Sequence, residues 1–373
     1  MHIALLATDP SEPHGWSNHA RDLIGALAAH GTQITLITAQ NAAPDPNLPN
    51  TAVRRILPSL TTPPRALNLR LLAANLAMRH AARNADLVHV LAEPYTLAAL
   101  ALRQPLLVTA HGTYLPQTAK LPRFGALYRR AYRRAQIICV SSYTERRVRA
   151  ALPQAHTQVI PNGVDTTRFA QPIMVQVAKR APTVLAVGQV KPRKGFLEIV
   201  EAMARVRQII PDAEAVFIGS TSGDPRYVAS LHERIAALGL SDAVRLLGRL
   251  PDAELLAWYA AADVFALHSR NQGDKFEGFG LVYLEASAAG LPVIGTTDCG
   301  AEDAIQQGKT GFLVAQGDSA GLADAIVRLL RDPELRAQLG VAGKAFAAQH
   351  TWEAAARQVL TLYQQVLMAP LNR

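Results

Sequence analysis

Glu277 and Glu285 stand eight residues apart in F-E-G-F-G-L-V-Y-L-E-A-S-A-A-G-L-P, residues 276–292. Between them, Gly278 and Gly280 let backbone come close to a ligand. Leu281, Leu284, Ala288 and Leu291 recur at helical spacing, and Gly290-Leu291-Pro292 ends the pattern as a glycine cap followed by proline. The amides that open such a helix lack intrahelical partners and lie at its positive end, which makes an anion site suited to phosphate. Carboxylates beside a phosphate need another partner, and sugar hydroxyls would serve. The alternative is that both glutamates only complement the helix dipole.

Strands must end beside this stretch to position it. Ala262–Leu267 reads as a buried strand feeding the loop 268–280. Thr183–Val187 is a second, and it runs into G-Q-V-K-P-R-K-G, residues 188–195. Lys194 there is either a phosphate ligand, helped by Arg193 or Lys191, or a solvated loop lysine. Helix Leu197–Ile210, strand Ala213–Gly219, helix Tyr227–Leu238 and strand Ala243–Leu247 continue the alternation. After Gly248-Arg249-Leu250 a helix is expected with Asp252 as its cap and Glu254 behind it. Val293–Gly295 and Gly311–Val314 read as closing strands, Asp332-Pro333-Glu334 as a capped helix start, and Trp352 to about Met368 as a last amphipathic helix.

The first half reads the same way. Residues 2–7 and 32–38 are expected strands around a helix from Ser17 to His30, a right-handed parallel unit. Its first loop lacks G-x-G-x-x-G, which argues against an NAD-type site. Further strands are expected at Ala85–Leu91, Pro105–Thr109 and Ala135–Val140. The second of these runs directly into Ala110-His111-Gly112-Thr113, placing His111 at a strand's carboxyl end, where ligands gather in open α/β sheets. A histidine that only ties down its loop is the alternative. V-I-P-N-G-V-D-T-T-R-F, residues 159–169, carries the turn signal Asn162-Gly163, and periodicity then lapses until Pro182.

Taken together, Glu277 with Glu285 around G-F-G, the A-x-x-x-G-x-P-V-I that follows, and the 159–169 phrase resemble the signature of retaining family 4 glycosyltransferases. The resemblance runs over nearly the whole chain. It implies an α/β GT-B fold, two Rossmann-like domains with parallel sheets facing across a cleft. The implied division is an acceptor-binding domain over 1–168, a linker over 169–182, a nucleotide-sugar-binding domain over 183–350, and a helix over 351–373 crossing back.

By the same resemblance, Glu277 faces the donor sugar hydroxyls, Glu285 the ribose, and His111 the donor sugar. Gly15 lies near the donor phosphates, although Trp16 replaces the second glycine of the family's pair and a turn glycine is an equal reading. Lys194 holds the donor diphosphate with Arg193; the family's accompanying arginine is here Gln189, which brings no charge. Leu250 borders the nucleobase through its backbone, and Gly278, Phe279, Gly280 and Leu281 complete the donor site. The implied reaction moves a hexose-type sugar, with retention, from a UDP- or GDP-sugar to a glycan or lipid-linked acceptor. The implied mechanism uses no metal or other cofactor, with front-face attack and the leaving phosphate taking the acceptor's proton. Rival readings are a GT-B module that binds nucleotide-sugars without turnover, for which Gln189 and Trp16 speak, and a sugar-nucleotide epimerase, against which the carboxylate pair speaks.

Composition bounds these readings. The 373 residues are 49% hydrophobic and 18% charged, an ordered globular chain of two domains' length. Cys139 and Cys299 lie in different halves without zinc spacing, and no apolar stretch approaches a bilayer span, so a reduced cytoplasmic protein is expected. The net charge of +9 is unevenly spread: residues 51–150 carry 16 Lys/Arg against 3 Asp/Glu, while residues 201–373 carry 15 against 20. Segments 65–83 and 121–134 hold most of the excess. They are either solvated helix faces or a docking surface for the anionic inner face of a membrane. Nucleic acid is not expected: only Tyr128 and Tyr132 interleave the arginines, and no binding motif is present.

Overall fold

The computed structural model describes residues 1–12, 15–43, 48–171 and 173–369. They form two compact units: Met1–Asn162 together with the segment returning from Trp352, and Gly163–Thr351. The segment after Asn162 joins the second unit because Val164 N–H donates to His350 O at 2.9 Å and Phe169 packs edge-on against Tyr259.

The first unit is built on seven parallel strands: β1 (His2–Leu6), β2 (Gln33–Ala39), β3 (Thr51–Leu57), β4 (Leu87–Val90), β5 (Leu106–Ala110), β6 (Ala135–Cys139) and β7 (His156–Val159). Their order is β3-β2-β1-β4-β5-β6-β7. Central strands such as I-A-L-L in β1 are buried throughout, as strands covered by helices on both faces must be. β3 lies at the edge, half exposed, and its T-A-V-R-R-I-L carries too many charges to read as a core strand. The helix Trp352–Met368 packs on the helix Gly15–Ala29, with the Trp352 ring edge-on to His19 and Ala355, Ala356, Val359 and Leu362 buried.

Both basic segments are helical, but not as single elements. The first is Pro64–Ala73 followed by Asn75–Ala81, where the Asn75 amide donates to the carbonyls of Leu71, Leu72 and Leu97. Leu67, Leu71 and Met78 face the core, whereas Leu69 and Leu76 are exposed. In the second, Gly125–Arg133, both tyrosines are buried. There Arg129 donates to Ala119 O, and Arg134 to the carbonyls of Leu100, Leu102 and Gln104. Two of the arginines expected on a docking face therefore serve the fold.

The second unit holds β8 (Thr183–Val187), β9 (Glu214–Ile218), β10 (Val244–Gly248), β11 (Val264–Ala266), β12 (Val293–Thr296) and β13 (Gly311–Val314). These six parallel strands run β10-β9-β8-β11-β12-β13. Asp332 caps its helix as expected, its carboxylate accepting from Leu335 N–H. Asp252 does not: Pro251 occupies the cap position, and the Asp252 carboxylate turns to the Arg168 guanidinium. Among the described residues no helix is long and apolar enough to cross a membrane.

Candidate active site

In each sheet the strand order reverses direction once, between β1 and β4 and between β8 and β11. Open α/β sheets bind ligands outside the strand ends at such switch points. In the second unit, β8 ends in Gly188–Lys194 and β11 in the loop that carries Glu277, and the two loops meet. Lys194 Nζ donates to Glu277 Oε2 at 2.6 Å, Arg193 NH1 to the same oxygen at 3.1 Å, and Ser269 Oγ at 3.3 Å. Glu277 is 8% exposed. Burial pushes its carboxyl up, but Lys194 and Arg193 outweigh that and hold it at about 2.

Two glycines make this convergence possible. Gly195, at φ +70°, ends the short turn Pro192–Lys194, and a Cβ there would lie 1.8 Å from the His268 carbonyl oxygen. Gly300 lies under the other loop, where a Cβ would meet the Gly278 carbonyl oxygen at 2.1 Å. Its N–H donates to Glu277 O at 2.8 Å. The helix Leu281–Ala289 then starts from Gly280 at φ +84°, with no side chain capping it, and ends at Gly290 at φ +89°.

The remaining expected donor residues distribute as follows. Phe279 is buried at 2% exposure, so its side chain belongs to the core and its backbone is what a ligand would meet. Leu281 and Leu250 are half buried. Glu285 accepts at Oε2 from Tyr259 OH at 2.9 Å. Gln189 is exposed, and its Oε1 accepts from Lys191 Nζ at 3.0 Å.

The first unit carries His111 at the end of β5, as its sequence position implies. Its Nε2 lies 2.8 Å from Leu91 O, so that nitrogen carries the proton and ties the loop to the end of β4. Burial holds the ring near a pKa of 4, hence neutral at pH 7. The His19 ring meets it edge-on at 4.4 Å. Gly112 follows at φ +143°, a conformation that favours glycine. Gly15 starts its helix with open space where a Cβ would be, so the local fold does not require glycine there. Trp16 packs against Tyr114 at 4.6 Å.

Sequence reasoning missed Ser269, Tyr259 and Glu93. Glu93 is fully buried; its Oε1 accepts from His111 N–H at 2.8 Å, and burial raises its pKa to about 7. Ser269 follows the buried strand β11 by three residues, which is a usable positional signal. Glu93 and Tyr259 gave none, because their partners lie far away in the chain. Among the described residues no three His, Cys, Asp or Glu side chains are grouped to hold a metal ion.

This geometry defines a class before it defines a member: a pair of parallel-sheet units, one with cations, a carboxylate and an uncapped helix start at its switch point. Comparison with known proteins gives the same class. The family model described as Glycosyltransferase Family 4 matches residues 13–168, and that described as Glycosyl transferases group 1 matches residues 171–346. A phosphatidyl-myo-inositol mannosyltransferase of Mycobacterium leprae is 30% identical over 95% of this chain and 94% of its own length. A GDP-mannose-dependent alpha-(1-6)-phosphatidylinositol monomannoside mannosyltransferase of Mycolicibacterium smegmatis is 36% identical over 57% of each chain. This chain spans 57–61% of the length of several such relatives. Among solved structures, sucrose-phosphate synthase of Thermosynechococcus elongatus superposes with a TM-score of 0.80 at 26% identity, covering 99% of this chain and 100% of that one. The chain belongs to the family 4 glycosyltransferases of group 1, and its fold is GT-B.

Proposed function

We propose that the protein transfers a hexose-type sugar from a nucleoside diphosphate donor to a lipid-linked or glycan acceptor, with retention at the anomeric carbon. The observation that supports this is the meeting of Lys194 and Arg193 with Glu277 beside an uncapped helix start. A departing diphosphate needs positive charge that is in place before the reaction, and two cations with a helix terminus supply it. In this reading the cations exchange Glu277 for phosphate when donor binds, and the released carboxylate turns to the sugar hydroxyls. Glu285 takes the ribose, and Leu250 and the backbone of Gly278–Leu281 line the rest of the donor site. The His111 ring, neutral and held by Leu91, offers its other nitrogen to the sugar. Attack comes from the donor's front face, with the leaving phosphate accepting the proton.

The relatives' names make GDP-mannose the first donor to try and phosphatidylinositol-type lipids the first acceptors. The charge stabilisers above need no divalent metal, so activity should survive chelation with EDTA. The exposed arginines of segments 65–83 and 121–134, beside Leu69 and Leu76, fit docking on an anionic membrane surface, which would bring the site to a lipid acceptor.

A panel of labelled nucleotide-sugars tests the reading. Slow donor hydrolysis, and faster transfer with lipid acceptor present, is the expected result. Binding without sugar release would favour the second reading, a module without turnover, for which the uncharged Gln189 speaks. Failure to bind any nucleotide-sugar would overturn both.

A further inference from the structure

Gln189 stands where the family resemblance implies a diphosphate-holding arginine, yet its loop is rich in cations. Lys191, Arg193 and Lys194 follow within five residues, and Lys275 adds its field from the loop after β11. The carboxylate among them is Glu277, and its Oε2 is occupied by Lys194 and Arg193. Lys191 is left with a neutral partner, donating from Nζ to Gln189 Oε1 at 3.0 Å. The Gln189 amide lies over Gly223. Its Nε2 lies 2.2 Å from where a Cβ on Gly223 would be, so glycine at 223 is what lets the amide lie there.

The ammonium is half buried among like charges. Burial first, then Arg193 and Lys194, push its pKa down to about 8, against the pull of Glu277. A cation in those surroundings gains more from an arriving anion than a surface lysine would, because it is only partly hydrated and the nearby carboxylate, Glu277, is already bonded by Lys194 and Arg193.

We propose that Lys191 supplies the phosphate-binding charge that Gln189 lacks, with the Gln189 amide oxygen holding the ammonium in place until a donor's diphosphate takes it as partner. The proposal rests on the nucleotide-sugar reading above and adds to it a change of residue: the arginine's task moves two positions along the loop, onto a lysine. Its signature is specificity for the second phosphate, because the nucleoside's other contacts lie elsewhere in the unit.

Calorimetric titration of the full chain tests this, using GDP, UDP, ADP and dTDP alongside the matching monophosphates. The variants are Lys191→Met, Gln189→Arg and the two combined. Lys191→Met should weaken the preferred diphosphate at least about tenfold, the scale of one charge-assisted hydrogen bond, and leave its monophosphate within about twofold. Adding Gln189→Arg to Lys191→Met should return affinity to within about threefold of wild type. Wild-type affinity for the diphosphate should fall as pH rises from 8 to 9.5, and the fall should vanish in Lys191→Met. A Lys191→Met protein that binds the diphosphate like wild type overturns the proposal and leaves the donor reading standing. Equal loss for mono- and diphosphate also overturns it, in favour of a loop-shaping role. A wild-type protein that binds none of the diphosphates overturns both.

Discussion

Lys194 and Glu277 close a 2.6 Å ion pair across 83 residues, joining the turn after β8 to the loop after β11. Both side chains are largely buried, and Arg193 shares the carboxylate. Coulomb attraction here is strong because water is mostly excluded, and for the same reason a lone member of the cluster would be costly. This pair joins the two loops of the candidate site.

Glu277→Gln keeps the shape of the side chain and removes its charge. Turnover should fall by more than about tenfold while nucleoside diphosphate affinity stays within about threefold, since the lost contact is one made mainly in the transition state. Steady-state transfer assays and calorimetry decide it. Unchanged turnover would remove Glu277 from the active role.

The same residue predicts an acid limb in stability. The Glu277 carboxyl is held at about 2 in the fold, below its ordinary 4.5. A carboxylate with a lowered folded pKa stabilises the protein fully above the unfolded value and loses that contribution as pH falls through the folded one. The difference in unfolding temperature between wild type and Glu277→Gln should therefore be constant above pH 5 and shrink from about pH 4.5 towards 2. Buried His89, whose pKa burial and His111 bring to about 3, titrates in both proteins and cancels. A difference that ignores pH over this window would contradict the assignment.

Tyr363 tests the returning helix. Its hydroxyl lies 2.7 Å from His89 Nδ1, and His89 Nε2 lies 2.7 Å from Thr109 Oγ1, all buried. Tyr363→Phe leaves a buried ring nitrogen unpaired and should cost about 1–3 kcal/mol in chemical denaturation. A loss under about 0.5 kcal/mol would mean that water or a rearranged ring replaces the hydroxyl.

Gly300→Ala tests the support under the loop that carries Glu277. Gly300 has an ordinary helical backbone, so any effect arises from contact of the new methyl with the Gly278 carbonyl and not from dihedral strain. Moving Gly278 and Phe279 displaces the start of the helix at Leu281. Nucleotide affinity should drop by more than about tenfold, with circular dichroism showing a folded protein. Retained affinity would mean that the loop adjusts without loss.

Membrane docking is best tested with arginines that the fold does not use. Arg123, Arg130 and Arg133 are exposed, unlike the carbonyl-bound part of Arg129. At about 1 kcal/mol per basic residue, reversing all three to Glu should lower sedimentation with phosphatidylserine vesicles more than a hundredfold. Equal sedimentation of both proteins would defeat the docking surface.

Most of the architecture was readable because its causes are local. T-V-L-A-V in β8 and G-F-L-V in β13 form where their apolar runs place them, and Gly290 and Asp332 end and begin helices by their own chemistry. Asp252 misled for the complementary reason: a cap signal is local, but Arg168 offered a stronger partner from 84 residues away. β3 was hidden because an edge strand needs only half its residues to be apolar. At the site, Glu277 and Lys194 were legible as motif positions, yet their contact was not. Nothing in either motif says that Lys194 and Glu277 bind each other. Glu93 meets His111 only because β4 and β5 lie side by side in the sheet, whereas Ser269 meets Glu277 within one loop.

The return of the chain from Trp352 into the first unit has a consequence for biosynthesis. A ribosome makes the second unit entire before it makes the helix that the first one needs, so the half translated earliest is completed last. Until Trp352 and its neighbours arrive, the face of the helix Gly15–Ala29 that they cover stays open to solvent. Completion of the first unit should therefore follow emergence of residues 352–368 from the exit tunnel, later than the folding of the second unit.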